Sequence, residues 1–417
     1  MLQQCYYSRK FIYGIVILFT LLQFATIFIF KYTPYPDSDG YICLAQECVK
    51  AGEFYPISAN IDDLPFIWNI GAINLVVLSL WVTGSVLPLM IFYSFLKGFS
   101  ALLVYLIAKK LFTSSVAFIS LCLYVAYPAN YGEATSVQSE VPSIFFILLG
   151  VYFSLKQYSF IGGVCIAFAN WVRPLGIVFL LACAVHALLT YKKRSLGFVF
   201  LGYMSMTLTI GTMSYCRTGN FLTQAKTGWM GLLQYSVDHS PYDDGYLTEA
   251  DGYNAVEKDA VWRDKMLTWV SEHPGEYVRQ MPHKFVATYI SDNINLCAFL
   301  SNKQARGYLY DELSMKTLYK VFPHFSLIQW VTIYNLLYYY TLLLLFLSAS
   351  FILIRQRSYA SLVLPLSIVL FGTGILLLVG HGEARFHLPL MPFIIMLSAV
   401  SVKRFALKII GSKTLLN

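Results

Sequence analysis

The chain has 417 residues, of which 57% are hydrophobic, 17% aromatic and only 12% charged, and its mean hydropathy is +0.60. A soluble protein of this length has no means of burying so much apolar surface, so the composition excludes a soluble enzyme and predicts an all-α polytopic membrane protein. The formal charge of +8 is no nucleic-acid signature, because the basic residues stand in short clusters between hydrophobic stretches, as at the cytoplasmic ends of membrane helices.

Arg9 and Lys10 precede the first hydrophobic stretch, Phe11 to Phe30, and place the N-terminus inside. No small-residue cleavage site follows, so this stretch reads as a retained anchor. Just beyond it, in Tyr35-Pro-Asp-Ser-Asp-Gly-Tyr41, Asp37 and Asp39 emerge at the far membrane surface. Tyr41, Leu44, Ala45, Cys48 and Val49 then follow the i, i+3, i+4, i+7, i+8 rule, which predicts a helix over 41–51 lying flat on the membrane. Residues 65–84 are apolar enough to cross, yet a full crossing would put Lys109-Lys110 outside. A membrane-associated or re-entrant segment, broken by Gly84 and Pro88, fits better.

Further spans are expected at roughly 86–108, 114–130, 141–155, 159–172, 174–190, 196–214, 326–353, 360–380 and 388–402, several of them short for a 30 Å core. This arrangement keeps Lys109-Lys110, Lys192-Lys193-Arg194, Arg355 with Arg357, and Lys403-Arg404 with Lys408 in the cytoplasm, with both termini. The outer face receives 31–64, 131–140, the Arg173-Pro174 turn, 215–325 and His381 to His387. The unusual polar residues thus fall on one side. That asymmetry favours surface chemistry over a transport path, which needs polar groups along its whole depth. Residues 215–325 are the one sizeable soluble part, with helices expected near 252–272 and 274–290. They lack GxGxxG, P-loop and HExxH motifs and read as a cap between an N-terminal module, 1–214, and C-terminal helices, 326–417. The eight cysteines are scattered without zinc-ligand spacing, and the lack of any Asn-x-Ser/Thr sequon leans toward a prokaryotic source.

Four constellations are able to carry chemistry. Asp37 and Asp39 offer a carboxylate base at the water–lipid boundary; helix capping by Ser38 or Asp39 is the alternative. Glu133 and Glu140 lie in the second outer loop, where Glu140 also suits a helix N-terminus. Arg173, in Asn170-Trp-Val-Arg-Pro174, suits an anion through its planar fork, or else snorkels to headgroups. His381-Gly-Glu-Ala-Arg-Phe-His387 gathers His381, Glu383, Arg385 and His387, with anion binding by Arg385 and His387 the preferred reading over a Glu383–Arg385 surface pair. A metal held by His381, Glu383 and His387 matches no recognised ligand pattern.

These residues resemble the GT-C glycosyltransferases, membrane enzymes that use polyprenyl-phosphate sugars, among them the protein O-mannosyltransferases, the lipid A aminoarabinose transferase and related bacterial lipopolysaccharide sugar transferases. The family pattern Asp-x-x-x-Tyr-x-x-x-Ala, with Gly eleven residues after the Tyr, is met by Asp37, Tyr41, Ala45 and Gly52. Ser139-Glu-Val-Pro-Ser-Ile-Phe-Phe matches the second acidic site through Glu140, and Glu383-Ala-Arg-Phe-His387-Leu-Pro389 matches a late Glu-x-Arg-[Tyr/Phe]-His-x-Pro segment. The resemblance implies a bundle of about 10–11 transmembrane helices, with outer-face amphipathic helices and a small extracytoplasmic cap, in a bacterial inner membrane. It implies Asp37 as general base, phosphate held by Arg173 and Arg385, and inversion at the anomeric carbon. The partners would be a polyprenyl-phosphate-linked sugar donor and a glycan, lipid or protein acceptor on the periplasmic face. A divalent metal serves only some members. Asp37-Ser38 stands in place of the Asp-Glu dipeptide of the mannosyl and aminoarabinosyl enzymes. The lack of a large soluble C-terminal domain speaks against an oligosaccharyltransferase. An O-antigen-type polymerase, using Arg217, Arg263, Arg279 and Arg306, and a flippase of lipid-linked sugars are the competing readings.

Overall fold

The computed structural model describes residues 8–34, 36–190, 193–238, 252–292, 327–380 and 382–410. Among them there is no β-strand; a single antiparallel bridge joins Ile67 to Lys226. Sixteen α-helices follow in chain order: α1 Arg9–Phe30, α2 Pro36–Ala51, α3 Ser58–Asp63, α4 Ile70–Thr83, α5 Leu87–Leu111, α6 Ser114–Ala126, α7 Glu140–Leu155, α8 Ser159–Val172, α9 Gly176–Leu189, α10 Lys193–Thr218, α11 Gly228–Leu233, α12 Ala255–Glu272, α13 Pro274–Tyr289, α14 Leu327–Arg355, α15 Tyr359–Val379 and α16 Met391–Ile410. Six stretches are long and apolar enough to cross a bilayer, namely α1, α5, α10, α14, α15 and the run Ala384–Lys408 that contains α16. A bent pair, Pro128–Thr135 with Glu140–Leu155, passes the same test together, and α4, α6, α8 and α9 are shorter apolar helices. The protein is an integral membrane protein built as an all-α bundle.

Helix ends follow local chemistry. Ser8 caps α1 by accepting from Phe11 N at 3.2 Å, and Thr113 caps α6 by accepting from Val116 N at 3.4 Å. Gly84, with φ 67°, stops α4 in the left-handed conformation, and Pro88 sits in the first turn of α5, where its missing N–H is harmless. Close packing inside the bundle depends on small residues. A Cβ built on Gly163 would lie 2.0 Å from the Val199 carbonyl oxygen, and one on Gly202 would lie 2.0 Å from that of Phe160, so α8 and α10 touch backbone to backbone.

Helices form at the expected spans with shifted ends; two features differ in kind, and a third concerns how residues 65–84 run. First, α2 starts at Pro36 rather than near Tyr41, so Asp37 and Asp39 belong to its first turn and the N-cap reading of Ser38 or Asp39 falls away. Proline at the first helical position and acids near the positive end of the dipole favour that extra turn. Second, residues 132–140, expected as an exposed outer loop, are buried throughout. The chain enters through two short 3₁₀ turns, Pro128–Asn130 and Glu133–Thr135, the second inside this segment, and the direction then changes by 116° into α7. The charges that enter with this segment are compensated: Lys97 of α5 is paired with Glu133 and donates to Asn130 Oδ1 at 2.8 Å.

Third, α4 has 14 residues and so spans about 21 Å, short of a bilayer core. Phe24–Phe95 and Thr20–Gly98 contacts make α1 and α5 antiparallel, which sets the start of α5 beside the end of α1. Since α4 leads directly into α5, and its own first turn lies at the same end beside Trp171 and Val172, it returns to the side on which it began. That geometry fits the membrane-associated segment read from Gly84 and Pro88.

The cap helices form as expected, α12 behind a capping box of Asn254 and Glu257. Leu232, Leu233, Trp262 and Met266 give the cap its own small core. Residues 239–251 and 293–326 of this region, including Arg306, lie outside the described residues. The side chain of Tyr289 meets Thr373 at 2.6 Å, and Tyr277 donates to the Leu378 carbonyl, so α13 is fastened to the end of α15.

Candidate active site

At one end of the bundle, side chains from five separate parts of the chain meet. Asp37 projects from the first turn of α2 and pairs with Arg385, Oδ2 to Nη1 at 2.5 Å. Arg385 also pairs with Glu383: Nη2 donates to Oε2 at 3.2 Å, and Nε lies 2.8 Å from Oε1. One guanidinium therefore bridges two carboxylates. The next residue, Phe386, places its ring 5.3 Å from the Arg173 guanidinium, a cation–π contact that joins this half of the cluster to the next.

Arg173 ends α8, with its backbone N–H bonded to the Ala169 carbonyl. Its Nη1 lies 3.0 Å from Glu140 Oε1 and donates to Ser139 Oγ at 2.9 Å. Glu140 opens α7, where the helix dipole favours a carboxylate. Asn69, just before α4, donates to Ser139 Oγ at 3.3 Å and to the Tyr41 hydroxyl at 2.6 Å. Tyr41 is fully buried with its ring edge-on to Trp68, and burial, then the charges of Asp37 and Glu140, push its phenol well above the usual range. It is a neutral hydrogen-bonding group, not a base.

The two halves differ in access. Glu140 and Arg173 side chains are 1% and 8% exposed, whereas Asp37 and Glu383 reach 22% and 27%. Asp37 and Glu383 are thus the accessible carboxylates, and Glu140 with Arg173 is the buried pair beneath them. Formal charge counts three carboxylates against two guanidinium groups, close to neutrality, which lets such a group of ions persist in a mostly buried place.

Of the sequence candidates, Asp37, Tyr41, Glu140, Arg173, Glu383 and Arg385 are brought together. Asp39 points elsewhere: it is exposed and accepts from the Tyr32 hydroxyl at 2.7 Å. Glu133 is sealed in the bundle with Lys97. His387 is buried below the cluster, between the rings of Tyr289 and Tyr339 at 5.3 and 5.2 Å, with Nδ1 2.7 Å from the Thr288 carbonyl. It ties the 384–390 turn to the cap helix α13. His381 lies outside the described residues. Among those residues no three His, Cys, Asp or Glu side chains converge as a metal site would require.

Asn69, Ser139 and Phe386 are the members that reading the sequence missed. Ser139 and Phe386 sit inside motifs already singled out, next to Glu140 and Arg385. Asn69 had only one cue, a polar residue at the front of an apolar stretch. A further residue stands above the site. Lys284 of α13 is buried with its ammonium 5.0 and 5.3 Å from the Tyr277 and Tyr235 rings, and its backbone lies against Gly382. Burial lowers its amine to about 8.

No protein-family profile and no curated protein matches this chain. Solved structures do. The oligosaccharyltransferase of Archaeoglobus fulgidus in its apo form is 12% identical, with a TM-score of 0.55 over 96% of this chain and 51% of that one. The same enzyme tethered by a disulfide to an acceptor peptide containing the NVT sequon gives 12% identity and a TM-score of 0.54, over 99% and 52% of the two chains. Its complex with Zn and sulfate gives 12% and 0.53, over 95% and 49%. The chain spans about half the length of the solved structures it matches. What the likeness shows is the fold: this is a membrane bundle of GT-C type.

Proposed function

We propose that the protein is a membrane glycosyltransferase that moves a sugar from a polyprenyl-phosphate donor to an acceptor, with the reaction at the Asp37 end of the bundle. The observation that carries this reading is the bridge Asp37–Arg385–Glu383, lying beside Arg173 and open on its carboxylate side. The arrangement offers a base and an anion holder within one side-chain length of each other, which displacement of a phosphate by a hydroxyl requires.

The acceptor hydroxyl would donate a hydrogen bond to Asp37 and give up its proton there as the new bond to the anomeric carbon forms. The bond from that carbon to the phosphate oxygen breaks on the opposite face, so the anomeric centre inverts. Arg385 would turn one arm of its fork from a carboxylate to the departing phosphate, and Arg173 would add a second positive charge from below. Glu140, Ser139 and Asn69 fix Arg173 and Tyr41 in place. Fold likeness at 12% identity supports a GT-C enzyme without choosing among its substrates. The oligosaccharyltransferase neighbour adds a lipid-linked oligosaccharide and a peptide to the donors and acceptors worth trying.

The test is label transfer by purified protein in proteoliposomes, supplied with a panel of polyprenyl-phosphate sugars, lipid-linked oligosaccharides and envelope or peptide acceptors. Covalent label in an acceptor, with free polyprenyl phosphate or pyrophosphate as co-product, is the expected result. Donor that crosses between leaflets with no acceptor labelled would overturn the reading in favour of a flippase.

A further inference from the structure

The opposite end of the bundle carries its own site. All 22 acidic residues of the chain lie in the sequence stretches 37–63, 133–140 and 238–312 or at 383. The helix ends opposite the Asp37 cluster hold Lys109, Lys110, Arg355, Arg357, Lys403, Arg404 and Lys408, and no Asp or Glu occurs at 64–132, 313–382 or 384–417. A Lys403 hydrogen bond to Thr113 Oγ1 at 3.3 Å links α16 to the start of α6 there.

Helices α14 and α16 run side by side in the same direction, Ser398 donating to the Leu342 carbonyl and Ser401 to that of Leu345, each at 2.8 Å. Their last turns part to leave a cleft of about 400 Å³ lined by Phe351, Ile352, Arg355, Arg404, Phe405 and Lys408, with Gln356 at its edge. Among the described residues none of its three cations has an acidic partner. The lining is therefore split: three positive groups and an apolar wall. A free solute has no use for the wall, and a neutral lipid has none for the charges.

We infer that this cleft binds an anionic phospholipid, its phosphate held by Arg355, Arg404 and Lys408 and its acyl chains laid against Phe351, Ile352 and Phe405. Guanidinium forks grip phosphate oxygens in pairs, and basic clefts between membrane helices at a bilayer surface attract anionic headgroups. Among the described residues no acidic side chain pairs with these cations, and the lipid supplies the countercharge. It also fills the gap where α14 and α16 separate, and so fastens the end of the bundle opposite the active site.

The experiment uses the full chain, delipidated in neutral detergent, with phosphatidylglycerol and phosphatidylcholine of equal chain length added in turn and bound lipid counted by native mass spectrometry. Wild type should retain phosphatidylglycerol about tenfold better or more, and glycerol 3-phosphate should not displace it. Arg355→Gln/Arg404→Gln/Lys408→Gln should abolish the preference while leaving the thermal midpoint without lipid unchanged. Phe351→Ala/Phe405→Ala should weaken retention of long-chain lipid and spare the headgroup preference. Equal retention of the two lipids by wild type would overturn the inference, as would an unchanged preference in the triple variant. Displacement by glycerol 3-phosphate would show a soluble-phosphate site instead and would equally refute it.

Discussion

Two carboxylate–cation pairs of this protein use the same chemistry to opposite ends. Lys97 and Glu133 meet in the middle of the bundle with side chains 3% and 2% exposed, surrounded by Asn130, Tyr124 and apolar helices. Asp37 and Arg385 meet at its end, where the carboxylate is 22% exposed and the guanidinium already serves a second carboxylate. The first pair is closed: each charge exists to neutralise the other, and together they let a polar, bent segment enter the membrane domain. The second is open, and its arginine is able to exchange one oxygen ligand for another. Burial and the number of competing partners, rather than the type of residue, separate the closed pair from the open one.

Breaking the closed pair should have the largest effect on stability. Lys97→Met leaves Glu133 buried and unpaired and should cost about 3–5 kcal/mol, read as a large fall in the thermal midpoint; Lys97→Met/Glu133→Leu should recover most of it. Arg385→Gln attacks the open pair and should leave the midpoint near wild type while lowering transfer about 10²–10³-fold. Arg385→Lys should restore only part of that rate, because the bidentate fork is lost. If Lys97→Met left stability untouched while abolishing transfer, the distinction between the pairs would fail.

A third carboxylate sharpens the contrast. Asp292, just past α13, is buried, and accepts from the Tyr127 hydroxyl and from Asn335 Nδ2 at 2.6 Å. Burial pushes it up to about 7, with the two hydrogen bonds pulling the other way. A carboxyl whose folded value lies above its unfolded one binds more protons when folded. Its contribution is complete below the ordinary carboxylate range and is lost as pH rises to about 7. The slope should be on the order of 1 kcal/mol per pH unit, so the wild-type midpoint should drop between about pH 4 and pH 7 and level off above, and Asp292→Asn should flatten that drop. The smallest effect belongs to Asp39, whose exposed contact with Tyr32 predicts that Asp39→Asn keeps transfer within about threefold of wild type and shifts stability by less than about 1 kcal/mol.

Much of this was legible in the residues. The apolar stripe from Tyr41 to Val49 gave α2, and the order of basic clusters gave the two ends of the bundle. Asp37, Glu140, Arg173 and Glu383-Ala-Arg385 were found because ionisable groups beside membrane spans are costly unless they do something. What failed did so for three-dimensional reasons. Glu133 and Glu140 look alike in sequence, seven residues apart, yet the 116° bend turns one into the bundle and leaves the other on the site floor. Asp37 and Asp39 are two residues apart on one helical turn and face different neighbours; the sequence already favoured Asp37, but the contact of Asp39 with Tyr32 was not legible in it. Asn69 reaches the cluster only because α4 begins there, and His387 became a strut because α13 packs over it.

The most direct test compares Asp37→Asn with wild type in the same proteoliposomes, measuring initial rates of labelled-sugar transfer at matched folded protein. The account predicts a loss of about 10²–10⁴-fold, with donor still bound and the thermal midpoint unchanged, since the amide keeps the contact to Arg385. Transfer at the wild-type rate would contradict it: Asp37 would then be only a partner of Arg385, and the base would have to be sought at Glu140.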